Sequence, residues 1–302
     1  NVEELRALSP VELIEIDLPQ PLPRPGMALC LSGGGYRAML FHLGTVWRLN
    51  EAGYLKKLSR VSSVSGGSIT AAYLGCKWSK LNFNQAGVGQ EFEEELVGPV
   101  RQLAGRSLDV SAVLTGVLSP DSIGDQMVEA YQDHLFGQVT LQDLPYRPTF
   151  VINATNVQST VLWRFTRWYM ADYRVGRINR PETPLAVAVA ASAAFPPFLS
   201  PVTLTPEESD YLPNSGLDLQ YPPFTTRVIL TDGGVYDNLG LETAWKKFNT
   251  ILVSDAGGKT EAEAAPSLDW PRHTYRILSL INRQVRALRK RQVIESYKLR
   301  DT

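Results

Sequence analysis

Residues 27–44, MALCLSGGGYRAMLFHLG, contain a change of hydrophobic period that decides the fold. Met27 to Leu31 form a short apolar run that ends in glycines, which is typical of a buried strand. From Tyr36 onward the apolar residues recur at helical spacing, and Gly53 follows as a stop signal. The stretch therefore predicts a strand, a tight glycine turn and a helix.

The same order of elements recurs at residues 59–75, SRVSSVSGGSITAAYLG. A short strand is predicted near Arg60 to Ser63, followed by two glycines and a second amphipathic helix. A strand–helix–strand–helix order implies parallel strands joined by crossover helices. The fold class predicted is therefore α/β, with a central, mostly parallel sheet.

The remainder of the chain divides into a helical part and a second set of strands. Residues 77–147 contain few strand signals and several helical ones, and they are interpreted as a helical insertion. One of its helices, PDSIGDQMVEAYQDHLFG, would be capped by Ser119 or Asp121 and end at Gly137. The later predicted elements are strands in TFVINATN (149–156), TVLWRFTRW (160–168), RVILTDGG (227–234) and NTILVSDAGG (249–258), a hairpin turn at 156–159, and helices in TPLAVAVAASAAF (183–195) and at 278–300.

Composition limits the class of protein. The chain has 302 residues and 44% hydrophobic residues, enough for a full core, and its net charge of −1 argues against nucleic-acid binding. No apolar run approaches the length of a membrane span, and the first residues show no signal-peptide pattern. Cys30 and Cys76 are expected to be buried reduced thiols. Neither has a second Cys or a His at ligand spacing, so no metal site and no cofactor are expected. The use of reduced cysteines favours a cytoplasmic location.

Ser65 follows the second strand and precedes a helix, which is where a catalytic serine is exposed on a sharp turn. Gly66 and Gly67 leave room for that turn, and the helix N-terminus contributes backbone N–H groups. The alternative is that Ser65 simply caps the helix.

Two further glycine turns would lie at the same edge of the sheet. The loop SGGGYR, Ser32 to Arg37, could direct several N–H groups at one anion, and it matches neither a P-loop nor a dinucleotide motif. In TDGGVYDNLG, Asp232 ends a strand and could act as a general base, or it could only shape the turn. Asp237 and Asn238 are interpreted as a helix cap.

Four stretches together resemble the patatin-like phospholipases: LSGGGYRAMLFHLG, SSVSGGSITAAYLG, AVAASAAFPPF and LTDGGVYDNLG. The resemblance covers roughly residues 27–258 and preserves the order of the family's motifs. It implies a three-layer α/β/α domain over residues 27–302, preceded by an N-terminal arm at 1–26, with the insertion at 77–147 and a basic C-terminal helix at 278–302.

The resemblance also implies a mechanism without a metal or other cofactor, in which lipid acyl esters are hydrolysed by a Ser–Asp dyad. Ser65 would be the nucleophile and Asp232 the base. The oxyanion hole would be formed by Gly33, Gly34 and Gly35, with Arg37 supporting their loop. The sequence departs from the family pattern at Ser63, which replaces the first glycine of G-x-S-x-G, and at Ala38, which follows the arginine. Both residues are small, so we expect the turn to be kept.

Two other functions are consistent with the sequence. An ordinary α/β-hydrolase would use the triad Ser65, Asp232 and His273, which has the right chain order. His42 and His134 are expected to be packing or surface residues. A non-catalytic lipid-binding protein is the second alternative.

The expected partner is a phospholipid or another acyl-ester lipid, and the sequence does not predict an oligomeric state. The basic tail NRQVRALRKRQVIESYKLR could contact anionic headgroups at a membrane, or it could be an ordinary solvated helix face.

Overall fold

The structure, a computed structural model, describes residues 23–105, 120–196, 199, 201–245, 247–258 and 261–298. Almost all of the predicted arm, and the predicted cap at Ser119, lie outside these residues. The described strands are β1 Arg24–Leu31, β2 Leu58–Val64, β3 Thr149–Asn156, β4 Val161–Phe165, β5 Tyr169–Asp172, β6 Gly176–Asn179, β7 Val202–Leu204, β8 Val228–Asp232 and β9 Phe248–Ser254.

The described helices flank these strands and supply the crossovers that the sequence predicts. The α-helices are α1 Gly35–Glu51, α2 Gly66–Lys77, α3 Gly98–Gly105, α4 Pro120–Tyr131, α5 Leu185–Ala193, α6 Gly234–Asp237 and α7 Trp270–Lys298. Short 3₁₀ turns occupy Leu55–Lys57, Trp78–Leu81, Leu141–Asp143 and Glu208–Asp210, and π turns occupy Glu93–Val97 and Gln132–Phe136.

All of these strands belong to one mixed sheet, whose main path runs β6-β5-β4-β3-β2-β1-β9. Strands β9, β1, β2 and β3 are parallel, whereas β4, β5 and β6 continue the sheet in antiparallel pairs. The prediction of an α/β fold with mostly parallel central strands is confirmed.

Alternation along β1 places a hydrophobic core on each face of the sheet. Leu29 and Leu31 point into the larger core, which α1, α2 and α5 cover. Ala28 and Cys30 point into a smaller core, against which residues of α7 pack. Two covered faces give the three layers, because a parallel sheet buries both of its sides.

Two predicted elements differ from the structure. The strand predicted in TVLWRFTRW ends at Phe165, because the Thr166 hydroxyl accepts hydrogen bonds from the backbone N–H groups of Trp168 (3.1 Å) and Tyr169 (2.9 Å) and shapes a turn between β4 and β5. The basic helix predicted from residue 278 begins at Trp270, because the Asp269 carboxylate accepts a hydrogen bond from the Arg272 N–H at 3.0 Å and caps it.

Candidate active site

Ser65 occupies the sharp turn between β2 and α2. Its backbone has φ 51° and ψ −124°, a left-handed conformation that residues other than glycine rarely adopt. The residue is 6% exposed. Strained backbone of this kind persists only where the surroundings hold it, and it is concentrated at functional sites. The geometry is that of a nucleophile elbow, in which the serine hydroxyl projects from the turn.

Asp232 reaches Ser65 by an arrangement that the sequence analysis did not foresee. Strands β2 and β8 pair with the same side of β3. Strand β2 is parallel to β3, and its last residue, Val64, pairs with Asn153. Strand β8 is antiparallel to β3, and its last residue, Asp232, pairs with the next residue of β3, Ala154. The two strands therefore meet end to end. Asp232 ends a strand at this edge of the sheet, as predicted, although its strand is antiparallel to β3.

The Asp232 carboxylate is buried and hydrogen-bonded. Its Oδ1 accepts a hydrogen bond from the Gly234 N–H at 2.6 Å. Burial raises the pKa of Asp232 to about 6, against the lowering effects of the Gly234 N–H and the nearby Ser65 side chain. A carboxyl with this pKa is a suitable proton acceptor near neutral pH.

The glycine-rich loop lies against the Ser65 turn. A Cβ at Gly66 would overlap the carbonyl oxygen of Gly35, so only glycine permits this approach. Gly34 and Gly35 are exposed and open α1, where the first N–H groups of a helix have no partner within the helix. That these two amides bind an oxyanion stays a prediction.

Gly33 has a different place from the one predicted. Its N–H donates a hydrogen bond to the carbonyl oxygen of Asn238 at 3.0 Å, so that amide is already used by the fold. A Cβ at Gly33 would lie 3.1 Å from the Cβ of Ser65. The expectation that Gly33 supplies an oxyanion donor is therefore corrected: this glycine makes room for the side chains of Ser65 and Asn238.

Arg37 is exposed in the first turn of α1, and its guanidinium lies against the loop that follows β9. A Cβ at Gly258 would lie 2.5 Å from Nη2 of Arg37. The same loop borders the glycine-rich loop, since a Cβ at Gly34 would lie 3.7 Å from the carbonyl oxygen of Ala256. Support of the glycine-rich loop by Arg37 stays a prediction.

A chain of buried serine hydroxyls lies beneath the turn, and the sequence analysis did not assign it a role. The Ser192 hydroxyl accepts a hydrogen bond from the Ser65 backbone N–H at 3.0 Å and donates one to the Asn153 carbonyl oxygen at 2.7 Å. Ser68 lies 2.8 Å from Ser192, oxygen to oxygen, and donates to the hydroxyl of Ser63 at 3.0 Å. Ser63, which replaces the first glycine of G-x-S-x-G, therefore belongs to the hydrogen-bond network that supports the turn.

The side chain of Tyr131 lies near those of Asp232 and Tyr36. Burial raises the pKa of Tyr36 to about 12. Burial also raises the pKa of the Tyr131 hydroxyl, and the charges of Tyr36 and Asp232 add to the effect. Tyr131 ends α4, so the helical insertion forms part of the wall around the candidate base.

The histidines occupy other positions. His42 is fully buried, with Nδ1 2.9 Å from the Ser254 hydroxyl and Nε2 2.9 Å from the Ser32 carbonyl oxygen, and burial lowers its pKa to about 4. His273 is exposed in the first turn of α7. Within the described ranges, no group of three or more His, Cys, Asp or Glu side chains could hold a metal ion.

An α/β sheet with a serine in a strained turn after a strand, a buried carboxylate nearby and a glycine-rich loop is the arrangement typical of α/β hydrolases. The patatin-like phospholipase family matches residues 29–245, well over half of the chain. The chain belongs to this family of lipid hydrolases. No curated protein matches it.

Several solved structures are similar to part of the chain. Human GIVD cytosolic phospholipase A2 is 14% identical, with a TM-score of 0.48, over 75% of this chain and 45% of that one. The same human protein in complex with methyl γ-linolenyl fluorophosphonate is 20% identical, with a TM-score of 0.41, over 56% and 29%. VipD from Legionella pneumophila is 20% identical, with a TM-score of 0.34, over 73% and 47%. The chain thus spans less than half the length of each.

Proposed function

We propose that the chain is a serine lipid acyl hydrolase of the phospholipase A type. It would cleave carboxylic esters of phospholipids or related lipids through a Ser65–Asp232 dyad and an acyl-enzyme. The observation that supports the proposal is the strained turn at Ser65, whose side chain contributes to the electrostatic surroundings of the buried Asp232 carboxylate.

In the first half of the reaction, Asp232 accepts the hydroxyl proton of Ser65 as the serine oxygen attacks the ester carbonyl carbon. The negative oxygen of the tetrahedral intermediate is held by the amides of Gly34 and Gly35. The ester bond then breaks, and the leaving alkoxide takes the proton from Asp232 and departs as an alcohol or lysophospholipid. This leaves the acyl group on Ser65.

In the second half, water attacks the acyl-enzyme carbonyl and gives its proton to Asp232. The second tetrahedral intermediate collapses, the fatty acid leaves, and Ser65 takes the proton back. Each group returns to its starting state, so no cofactor is consumed.

A Ser–Asp dyad is favoured over a triad by the surroundings of Asp232. The carboxylate accepts a hydrogen bond from the Gly234 N–H and lies near the Ser65 side chain, whereas His273 is exposed on α7. Serine hydrolases that use a triad place the carboxylate on the imidazole of the base. His273→Ala is therefore expected to keep hydrolytic activity.

The test is a panel of esters comprising phospholipids, lysophospholipids, neutral glycerides and p-nitrophenyl esters. Wild type should hydrolyse at least one lipid class, and Ser65→Ala and Asp232→Asn should each lose activity by a factor of about 10³ or more. Ser209→Ala, a change at an exposed serine, is the matched control and should be fully active. Normal activity in Ser65→Ala would refute the proposal, and a wild type that binds lipids without cleaving any ester would favour the lipid-binding alternative.

A further inference from the structure

Four arginines lie on the side of the sheet that contains the smaller core. Arg60 of β2 pairs with Ala28, a residue of that core, so both side chains point to this side. The same register continues through β3 to Arg164 of β4, and through β5 to Arg177 of β6. Arg24, at the start of β1, is the fourth. We call these four residues the arginine cluster.

Two aromatic rings hold the arginine cluster together. The guanidinium carbons of Arg24 and Arg60 lie 4.7 Å and 5.2 Å from the centroid of the Phe248 ring. Those of the other two arginines lie 6.0 Å and 4.8 Å from the centroid of the Tyr169 ring. Contacts of this kind stabilise cations on a ring face, but they leave the positive charge without a counterion.

The arginine cluster has no carboxylate partner among the described residues. None of the ion pairs between described side chains involves one of its members. Burial lowers the pKa of Arg60, and the positive charges of Arg24 and Arg164 add to the lowering. The Nε atoms of Arg60 and Arg164 are buried and make no hydrogen bond. Grouped like charges and unpaired buried donors are costly, so this face favours an anionic partner.

An anionic segment precedes the cluster in the same chain. Residues 1–22, which lie outside the described residues, contain five acidic residues and one basic residue. The chain has a net charge of −1, so this segment carries −4 and the remainder carries +3. Three of its carboxylates, those of Glu12, Glu15 and Asp17, alternate with apolar residues just before the prolines that lead into β1.

The length of the connection allows this segment to reach the cluster. Asp17 precedes Arg24 by seven residues, which span up to about 23 Å when extended. Neighbouring strands are about 4.8 Å apart, so the three steps from β1 to β4 cover about 14 Å. Because the segment is covalently attached, its effective concentration at the cluster is high. A separate anionic molecule lacks that advantage.

We propose that residues 12–18 bind the arginine cluster, with the carboxylates of Glu12, Glu15 and Asp17 paired with its guanidinium groups. The segment neutralises the positive face of the sheet and fastens the N-terminal part of the chain to it. This interaction is independent of the proposed hydrolase activity.

The test is hydrogen–deuterium exchange of the full chain, measured by mass spectrometry in peptides from residues 11–18. These amides should be protected in the parent protein. Glu15→Arg combined with Asp17→Arg should speed their exchange about tenfold or more, given the worth of charge-assisted hydrogen bonds, and added salt should also speed it. Glu3→Arg combined with Glu4→Arg is the matched control. It changes the charge equally at the far end of the segment and should keep the protection.

Reversal of the cluster separates binding from folding. Arg24→Glu combined with Arg177→Glu, at the two exposed members, should also remove the protection, and joining this pair to Glu15→Arg and Asp17→Arg should restore it. The proposal is overturned if residues 11–18 exchange in the parent as fast as an unstructured peptide, if the control loses protection equally, or if the fourfold variant does not regain it. Unprotected residues 11–18, together with a rise in the parent's melting temperature on adding inorganic phosphate that the Arg24→Glu, Arg177→Glu variant lacks, would assign the cluster to an external anion instead.

Discussion

At the residue level, burial of Asp232 makes an ordinary carboxyl into a candidate base. A solvated aspartate is too weak a base to accept a serine proton near neutral pH, whereas an aspartate with a pKa of about 6 is better matched to that transfer. The Gly234 N–H and the Ser65 side chain lower the pKa of Asp232 against the effect of burial, so the carboxylate is ionised above about pH 6.

The pH dependence of activity should report this carboxyl. Protonated Asp232 cannot accept the Ser65 proton, so kcat/KM should rise with pH, with a midpoint at about pH 6, and level off above it. Steady-state hydrolysis of a soluble ester from pH 4 to 9 would measure the profile. A flat profile through pH 6 would exclude Asp232 as the base.

Ser192 is expected to be a positioning residue for Ser65. In Ser192→Ala the Ser65 backbone N–H loses its acceptor, which should lower kcat about tenfold with little change in KM, given the worth of one buried hydrogen bond. The midpoint of the pH profile should stay near 6, because the base is untouched. Reduced thermal stability with an unchanged kcat would instead assign Ser192 a structural role only.

The sequence predicts this site unevenly, for physical reasons. Ser65 and Asp232 could be located because glycine turns after strands are local patterns, and the structure brings the two together. Two other contacts could not be predicted: the hydrogen bond from the Gly33 N–H to Asn238 and the one from the Ser65 N–H to the Ser192 hydroxyl. Each joins segments that are far apart in the chain, so it leaves no local sequence pattern.

At the level of elements, the site depends on two strand ends that meet beside β3. Gly233 follows Asp232 there, and a Cβ on it would overlap the carbonyl oxygen of Asn153. The direction of β8 could not be predicted, because strand pairing is a long-range property and the apolar run 228–230 is equally compatible with either direction. The start of α7 was predictable in principle, since Asp269 stands directly before Trp270 as a cap signal.

The contact between the glycine-rich loop and the Ser65 turn gives a sharp prediction. Gly66→Ala should displace the Gly35 carbonyl and the neighbouring amides, and lower kcat/KM by a factor on the order of 10² or more. Gly44→Ala is the matched control, because a Cβ there meets nothing within 4 Å and alanine is the better helix former. Ester hydrolysis and circular dichroism of both variants would check this, and an active Gly66→Ala would show that the loop contact is dispensable.

At the level of the whole molecule, the described residues form one sheet with a core on each side, and His42 joins three of its parts. His42 lies in α1. Its ring contacts the Ser32 carbonyl oxygen, directly after β1, and the Ser254 hydroxyl, at the end of β9. Among the described helices, none is long and apolar enough to span a bilayer.

His42 should make stability depend on pH. Its pKa of about 4 lies below that of an unfolded histidine, so protons bind preferentially to the unfolded chain as pH falls. The stabilisation is fully present above about pH 6.5 and declines towards pH 4, by up to about 3 kcal/mol. Urea unfolding of wild type and His42→Gln would measure the free energy of unfolding at each pH. Between pH 6.5 and pH 4 this free energy should fall less in the variant than in wild type. An equal fall in the two proteins would show that His42 does not cause the pH dependence.

We expect Asp232 alone to activate Ser65. The most direct measurement is the rate at which a fluorophosphonate phosphonylates Ser65, followed by intact mass and peptide mapping across pH. We predict labelling at Ser65 that rises through about pH 6, is lost in Asp232→Asn and is unchanged in His273→Ala. Loss of labelling in His273→Ala, or labelling of a different serine, would contradict the account.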